Sequence, residues 1–162
     1  MTASQTREDR WVVSAVGWVH STRGEAIDDD WGAVEAAISL VAPFGADSLA
    51  GLSEFSHVEV VYLFDRVDLA EVCTGTRRPR GNPAWPEVGI FAQRAKHRPN
   101  RLGVSRSELL AVDAATATLR VRGLDAIDGT PVLDIKPYMA EFGPLGEVRQ
   151  PRWSQELMAG YY

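Results

Sequence analysis

The segment from His57 to Phe64 (HVEVVYLF) constrains the fold of this chain more than any other. Its apolar side chains alternate, and one face carries Val58, Val60, Tyr62 and Phe64. This period of two residues is typical of a half-buried β-strand. The opposite face becomes apolar towards the end of the segment. We therefore predict a β-strand with a buried face here.

Short segments of the same character recur along the chain. The sequence predicts about seven short strands, over 11–19, 34–41, 57–64, 88–92, 104–112, 118–121 and 131–135. One short helix is predicted over 46–52, with Asp47 or Ser48 as its N-cap. Many short strands with few helices favour an all-β fold, and barrel closure removes exposed strand edges. We expect a single-sheeted, closed or nearly closed β-barrel.

Turn-forming residues separate a main domain from a tail. A length of 162 residues fits one domain, and we expect the barrel over 1–140 with a Pro- and Arg-rich arm at 74–87. The tail covers residues 141–162. Its Trp153, Leu157 and Tyr161 recur at a spacing of four and predict a short amphipathic helix. Such an apolar stripe packs on its own domain more often than on a dimer partner.

Composition excludes several classes of protein. No apolar run is long enough for a membrane span, and residues 1–10 lack the apolar core of a secretory signal. Cys73 is the single cysteine, which excludes an internal disulfide and a cysteine-built zinc site. The three histidines, at positions 20, 57 and 97, have no metal-ligand spacing. We expect a cytoplasmic protein without a metal.

The charge of the chain is unevenly distributed. The formal net charge is −5, but residues 77–106 contain eight basic residues and one acid. That stretch carries +7, which leaves −12 on the rest of the chain. A basic surface on an acidic body fits an anionic substrate, an anionic cofactor group or a phosphate backbone. The alternative interpretation is a solvated loop of arginines.

Familiar catalytic motifs are absent from the sequence, and three local clusters supply the candidate site residues. Arg94 follows a predicted strand, where its planar guanidinium can bind a carboxylate or phosphate, or pair with an acid of this chain. Asp128-Gly129 predicts a turn, whereas Asp125 lies outside it and is free to accept hydrogen bonds from an amine or a ribose. Asp28–Asp30 are three adjacent acids, which belong on solvent unless a cation binds there. Trp31 beside them can stack on a base or a sulfonium.

Several of these segments, in this order, resemble the TsaA-like family. The matching segments are 51–57 (GLSEFSH), 89–94 (GIFAQR), 97–100 (HRPN), 102–105 (LGVS) and 124–138 (LDAIDGTPVLDIKPY). The resemblance runs from about Val12 to Tyr138. It implies a single-sheeted β-barrel methyltransferase that binds S-adenosylmethionine and forms a homodimer. The activity it implies is N6-methylation of a threonylcarbamoyl-modified adenine next to the anticodon of tRNA.

The resemblance also implies the cofactor-binding residues, and the local clusters supply the candidate substrate-binding residues. The expected cofactor-binding residues are Phe64, Asp65, Arg66, Arg94, Val104, Leu124, Asp125, Ala126 and Ile127. The expected substrate-binding residues are Asp28, Asp30, Trp31, Lys96, His97, Arg98 and Asn100. Asp125, or an acid of Asp28–Asp30, is the candidate proton acceptor for the amino nitrogen that is methylated.

Two departures from the family pattern keep other acceptors open. Where the tRNA enzymes carry Pro-Arg-Gln, this chain has Asp28-Asp-Asp-Trp-Gly32, and Asp65-Arg66 replaces a His-Gln pair. An acidic loop with an indole suits a cationic or amine-bearing acceptor better than a phosphate backbone. One alternative is therefore a methyltransferase of the same fold that acts on a small-molecule or peptide amine. The other is a non-catalytic module that binds RNA or a protein partner.

Overall fold

The computed structural model describes residues 9–162. Residues 1–8 lie outside the described residues. They belong to the predicted main domain and to the segment 1–10, whose sequence lacks the apolar core of a secretory signal. The strands are β1 (Gly17–Ser21), β2 (Glu35–Leu40), β3 (His57–Leu63), β4 (Thr76–Arg77), β5 (Val88–Gly89), β6 (Leu102–Asp113), β7 (Thr118–Arg122) and β8 (Pro131–Pro137). The helices are α1 (Ala46–Leu49) and α2 (Arg152–Met158).

Within residues 9–162, six antiparallel strands form a closed barrel in the order β1-β2-β7-β6-β3-β8. β8 pairs back onto β1 through Gly17 with Val132 and Trp18 with Pro131, which closes the sheet. The predicted all-β barrel is confirmed. Because every neighbouring pair is antiparallel, the ends of β1, β3 and β7 meet the starts of β2, β6 and β8 at one mouth of the barrel.

The alternation in β3 places its apolar face in the barrel core. Val58 and Val60 have no exposed surface and Tyr62 is 1 % exposed, as the period of two predicts. The Tyr62 ring packs on Gly103 of the neighbouring β6, where a Cβ atom would lie 2.3 Å from the ring. The core is completed by aliphatic residues of the other strands and of the bend after β7, including Val19, Ile38, Leu119, Val121, Leu124 and Val132.

The predicted strand over 88–92 is wrong beyond its first two residues. Val88 and Gly89 pair with β4 in a separate two-stranded sheet, and a 3-10 turn follows over Ile90–Ala92. Ile90 and Gln93 are buried whereas Phe91 is 81 % exposed. Burial therefore recurs every three residues, which is the period of a 3-10 turn and not of a strand.

Two other predicted boundaries differ from the structure. β1 begins at Gly17 and not at Trp11, because its ladder to β8 starts only there, and Val12 is 98 % exposed. The predicted helix over 46–52 ends early: α1 stops at Leu49, and a left-handed Gly51 leads into a 3-10 turn. Its cap residue is Gly45, so the prediction of Asp47 or Ser48 is wrong.

The tail contains the predicted short helix, α2, at Arg152–Met158. Tyr161 lies just beyond its end. No helix in the described part of the chain has both the length and the apolar character needed to cross a membrane.

Candidate active site

A cavity of about 1000 Å³ opens at the barrel mouth defined above. The barrel contributes Phe64 after β3, the start of β6 at Leu102–Val104, and the bend after β7 at 125–127. The segment from Phe91 to Asn100 forms a second wall, and α2 with the residues after it forms a third. This size lies at the upper end of the range for small-molecule pockets.

The structure brings together most of the residues predicted from the sequence. The lining includes Phe64, Asp65, Arg66, Arg94, Val104, Asp125, Ala126, Ile127, Asp28, Trp31, Lys96, His97, Arg98 and Asn100. Arg94 and the bend after β7, which are 31 to 33 positions apart in the chain, therefore line the same cavity. Leu124 does not line it, because its side chain is fully buried in the barrel core. Asp30 is exposed and also lies outside the lining.

The Asp125 carboxylate is held by two tyrosines. Tyr62 donates its hydroxyl to Asp125 Oδ1 at 2.8 Å and to the Asp125 carbonyl at 3.0 Å. Tyr161 donates to Asp125 Oδ2 at 2.6 Å. Burial and the neighbouring Asp125 charge raise the pKa of both phenols far above the usual range, so both remain donors. A carboxylate has about four lone-pair sites, so lone pairs remain for a ligand donor.

Arg94 lies on the wall formed by the segment from Phe91 to Asn100, and its side chain is exposed. Its Nη2 donates to the Val104 carbonyl at 2.7 Å, which fixes the side chain against the start of β6. No carboxylate among residues 9–162 lies within ion-pair distance of it. The remaining N–H groups are available for a planar anion. Phe64 packs edge-on against Tyr62, with ring centroids 5.3 Å apart.

Arg66 ties two loops of the cavity together. It donates to the Gly24 carbonyl at 3.3 Å and to the Asp128 carbonyl at 2.8 Å. The predicted turn is confirmed at Gly129, whose φ of +80° favours glycine. A Cβ atom there would lie 3.3 Å from Arg66 Nη2. Some N–H groups of the Arg66 guanidinium therefore already donate to carbonyls of this chain.

The acidic loop is paired with cations of the same chain. Arg80 binds both carboxylate oxygens of Asp29, at 2.7 and 3.0 Å, and lies 3.7 Å from Asp28. This pairing holds the pKa of Asp29 below its ordinary value. Arg23 donates to the carbonyls of Asp29 and Asp30. Its Cζ atom lies over the Trp31 ring, 3.9 Å from the ring centroid. Trp31 is 3 % exposed, so most of its indole is packed inside the protein.

The segment after Arg94 is ordered by bonds to backbone carbonyls. Arg98 donates to the Gln93 carbonyl at 2.9 Å, and the buried Gln93 amide spans the Arg77 and Val88 carbonyls. His97 Nδ1 accepts from Arg77 at 3.1 Å. Burial, followed by the charges of Arg77 and Lys96, lowers the pKa of His97, which favours the neutral ring.

Sequence reasoning missed the tyrosines of the site. Tyr62 was assigned only to the buried face of β3, although a buried phenol generally needs a hydrogen-bond partner. The tail stripe of Trp153, Leu157 and Tyr161 was identified, but its place on the cavity was not. The described residues contain no group of three or more His, Cys, Asp or Glu side chains positioned to hold a metal ion.

Comparisons with known proteins match the sequence and the fold of this chain. Residues 29–143 match the family model described as the tRNA-methyltransferase O N-terminal domain. The mouse (Mus musculus) tRNA (adenine(37)-N6)-methyltransferase is 42% identical over 95 residues, which are 59% of this chain and 21% of that protein. The Escherichia coli enzyme of the same name is 38% identical, over 63% of this chain and 44% of that protein. A probable S-adenosyl-L-methionine-binding protein of Methanothermobacter thermautotrophicus is 39% identical, over 83% of this chain and 94% of that protein.

Solved structures agree with the sequence matches. The crystal structure of TrmO has a TM-score of 0.72 and 32% identity, and covers 87% of this chain and 63% of that one. TrmO from Pseudomonas aeruginosa has a TM-score of 0.69 and 31% identity, covering 86% of this chain and 61% of that one. This chain spans about a fifth of the mouse relative (21%) and less than two thirds of either TrmO structure. The family model nevertheless covers most of the chain, including Arg94 and Asp125. The chain belongs to the family of the tRNA-methyltransferase O N-terminal domain.

Proposed function

We propose that this protein is an S-adenosylmethionine-dependent methyltransferase that methylates N6 of the adenine next to the anticodon of tRNA. The observation that carries the proposal is the convergence of Arg94, Phe64 and Asp125 on one cavity beside a basic surface. The names of the mouse and Escherichia coli relatives support the same reaction.

The residues of the cavity fit the chemical groups of S-adenosylmethionine. Arg94 offers N–H donors to the carboxylate of the methionine part. Asp125 offers lone pairs to a hydroxyl or amino donor, and Phe64 offers an apolar ring to the adenine. When bound, the cofactor supplies an electrophilic methyl group on its sulfonium.

Positioning is the main contribution of the protein to such a transfer. Holding the two reactants at contact distance supplies about 7–11 kcal/mol of the barrier reduction. We propose that Asp125 anchors the cofactor, and it also stays the predicted proton acceptor for the adenine amino group. The variant Asp125→Asn distinguishes the two roles, because loss of an anchor raises the Kd for S-adenosylmethionine. Loss of a proton acceptor lowers kcat instead and leaves that Kd unchanged.

A basic surface beside the cavity supports tRNA as the acceptor. Two of the eight basic residues in 77–106 are paired, Arg80 with Asp29 and Arg106 with Glu59. Within residues 9–162, the others have no carboxylate at ion-pair distance: Arg77, Arg78, Arg94, Lys96, Arg98 and Arg101. Four of them, Arg77, Arg94, Lys96 and Arg98, line the cavity, where unpaired cations suit the phosphates that flank a target base.

The structure weakens the argument for a small cationic or amine-bearing acceptor. That alternative rested on an unpaired acidic loop at Asp28–Asp30, but Arg80 neutralises Asp29 and lies close to Asp28. The loop therefore presents less negative charge to the cavity than the sequence suggested. We retain tRNA as the proposed acceptor.

A homodimer, a cytoplasmic location and a threonylcarbamoyl group on the target adenine belong to the same proposal. The exposed apolar side chains of Phe91 and Leu102 near the cavity support a contact between copies of the chain. The free Cys73 supports a reducing compartment. Light scattering coupled to size-exclusion chromatography tests the dimer directly.

One labelling experiment tests the reaction. The purified full chain is incubated with methyl-labelled S-adenosylmethionine and total cellular tRNA, and in parallel with a small-molecule extract. We expect the label at N6 of the adenine next to the anticodon. Label only in the small-molecule extract would contradict the assigned acceptor, and no transfer to either fraction would favour the binding-module alternative.

A further inference from the structure

The wall of the cavity formed by residues 152–162, here called the C-terminal segment, lies beyond the region that the family model matches, 29–143. Its Trp153, Leu157, Met158, Tyr161 and Tyr162 all line the cavity. The family match therefore assigns no role to this wall, although it faces the same space as Arg94 and Asp125.

The C-terminal segment is fixed to the barrel mouth by backbone hydrogen bonds. The Trp31 amide donates to the Tyr161 carbonyl at 2.8 Å, and the Asp30 amide donates to the Gly160 carbonyl at 3.0 Å. A third attachment comes from the arm, because Trp85 Nε1 donates to Glu156 Oε2 at 2.9 Å. Together these bonds set the position of Tyr161 relative to the bend after β7.

Gly32 makes this close approach possible. A Cβ atom at position 32 would lie 2.6 Å from the carbonyl carbon of Tyr162 and 3.2 Å from its Cα atom. Both are backbone atoms, so the segment would have to move to admit a methyl group. Position 32 is thus a site where a small substitution displaces the C-terminal segment without altering Tyr161 or Asp125.

We infer that Tyr161 is a positioning residue for ligand binding, which holds the Asp125 carboxylate in the orientation that accepts a donor of S-adenosylmethionine. The inference rests on the proposed function. Tyr62 fixes one carboxylate oxygen from inside the barrel, and Tyr161 fixes the other from the C-terminal segment. With both oxygens fixed, the carboxylate is preorganised and loses little rotational freedom when a ligand binds.

Replacement of the hydroxyl alone tests this role. Tyr161→Phe keeps the ring on the cavity wall and removes the donor to Asp125 Oδ2. We expect the Kd for S-adenosylmethionine, measured by calorimetry on the full chain, to rise severalfold, up to about tenfold, because the freed carboxylate must be ordered when the ligand binds. Tyr138→Phe is the matched control, since Tyr138 contacts Arg106 and lies outside the cavity lining. It should leave the Kd unchanged.

A double-mutant cycle distinguishes positioning from a general effect on packing. If Tyr161 acts through Asp125, adding Tyr161→Phe to Asp125→Asn should change the Kd by less than about twofold. A second loss of the same size in that background would overturn the inference, because the tyrosine would then act independently of the carboxylate. Equal Kd values for the wild type and Tyr161→Phe would also overturn it, while leaving the proposed function intact. A wild-type protein that binds no S-adenosylmethionine would contradict the proposed function itself.

A second variant disturbs the contact between Tyr161 and Asp125 by moving the C-terminal segment. Gly32→Ala should weaken S-adenosylmethionine binding by a similar factor, because the displaced segment withdraws Tyr161. Gly45→Ala is its control, since a Cβ atom there meets no described atom within 4 Å. Unchanged binding in Gly32→Ala, with the thermal unfolding midpoint also unchanged, would contradict a role for the docked segment.

Discussion

At the scale of single residues, Tyr62 links the barrel core to the cavity. Its ring is buried against Gly103, and its hydroxyl reaches Asp125 at the mouth of the barrel. The same side chain therefore contributes to folding through its ring and to the site through its oxygen. The position of Asp125 in the site therefore depends on the tight packing of the Tyr62 ring against Gly103.

Gly103→Ala tests this dependence on packing. The added Cβ atom would lie 2.3 Å from the Tyr62 ring, so the ring or the strand has to shift. We expect a loss of about 1–3 kcal/mol in the free energy of unfolding, which is the usual cost of overpacking. Chemical denaturation measures it. Gly75→Ala is the control, because a Cβ atom there meets no described atom within 4 Å. Equal stability of the two variants would contradict this packing account.

At the scale of elements, the arm and the acidic loop are joined by Arg80, which pairs with Asp29 and lies 3.7 Å from Asp28. Arg80 holds the pKa of Asp29 below its ordinary value of 3.8. A carboxylate with a lowered pKa in the folded state stabilises the fold above its unfolded pKa, and that contribution is lost as the pH falls through the folded value. The pairing is exposed to solvent, so salt also weakens it.

Arg80→Gln tests the ion pair through its pH dependence. The variant should be less stable than the wild type at pH 7, where Asp29 is charged. The difference in unfolding free energy should shrink as the pH is lowered below about 3.8 and the folded pKa of Asp29 is passed. Urea denaturation at a series of pH values measures both chains. A difference that stays constant across this range would show that the pair does not carry the effect.

The sequence predicted the elements whose signal is local. The alternation in β3 and the Asp128-Gly129 turn were both identified, because each depends on a few neighbouring residues. The segment 88–92 was mistaken for a strand because Ile90 and Phe91 favour strands, whereas burial follows a period of three residues. The strand predicted from Trp11 began too early, because its pairing partners in β2 and β8 are distant in sequence.

The sequence predicted those site residues that lie within the family motifs. Arg94 and Asp125 were identified from their segments, and the fold places both on one cavity. The tyrosine contacts were not predicted, because Tyr161 lies 36 positions from Asp125 in a tail outside those motifs. Leu124 was included with its motif although its side chain faces the core, since a motif match does not reveal which side chain points inward.

At the scale of the whole molecule, an acidic protein carries a basic surface at one end of its barrel. The net charge is −5, yet four of the six unpaired cations defined above line the cavity. Such a distribution guides a polyanion to one face of the molecule and repels it from the others. Binding to tRNA should therefore depend steeply on salt.

Lys96→Gln tests the contribution of that surface. Lys96 lines the cavity without a carboxylate partner among residues 9–162, whereas Lys136 pairs with Asp134 on the barrel. We expect Lys96→Gln to make the slope of log K, the tRNA association constant, against log salt concentration less negative by about one. Lys136→Gln should leave the slope unchanged. Filter binding at several salt concentrations measures it, and equal slopes in all three proteins would contradict a role for Lys96 in phosphate binding.

We propose that Arg94 and the bend after β7 together form one binding site for a sulfonium donor. Calorimetric titration of the full chain with S-adenosylmethionine, compared with Arg94→Ala, tests it most directly. Arg120→Ala is the control, since Arg120 pairs with Glu35 away from the cavity. We predict saturable binding that weakens about tenfold or more in Arg94→Ala and stays unchanged in the control. Absence of binding by the wild type, or equal affinity in Arg94→Ala, would contradict the claim.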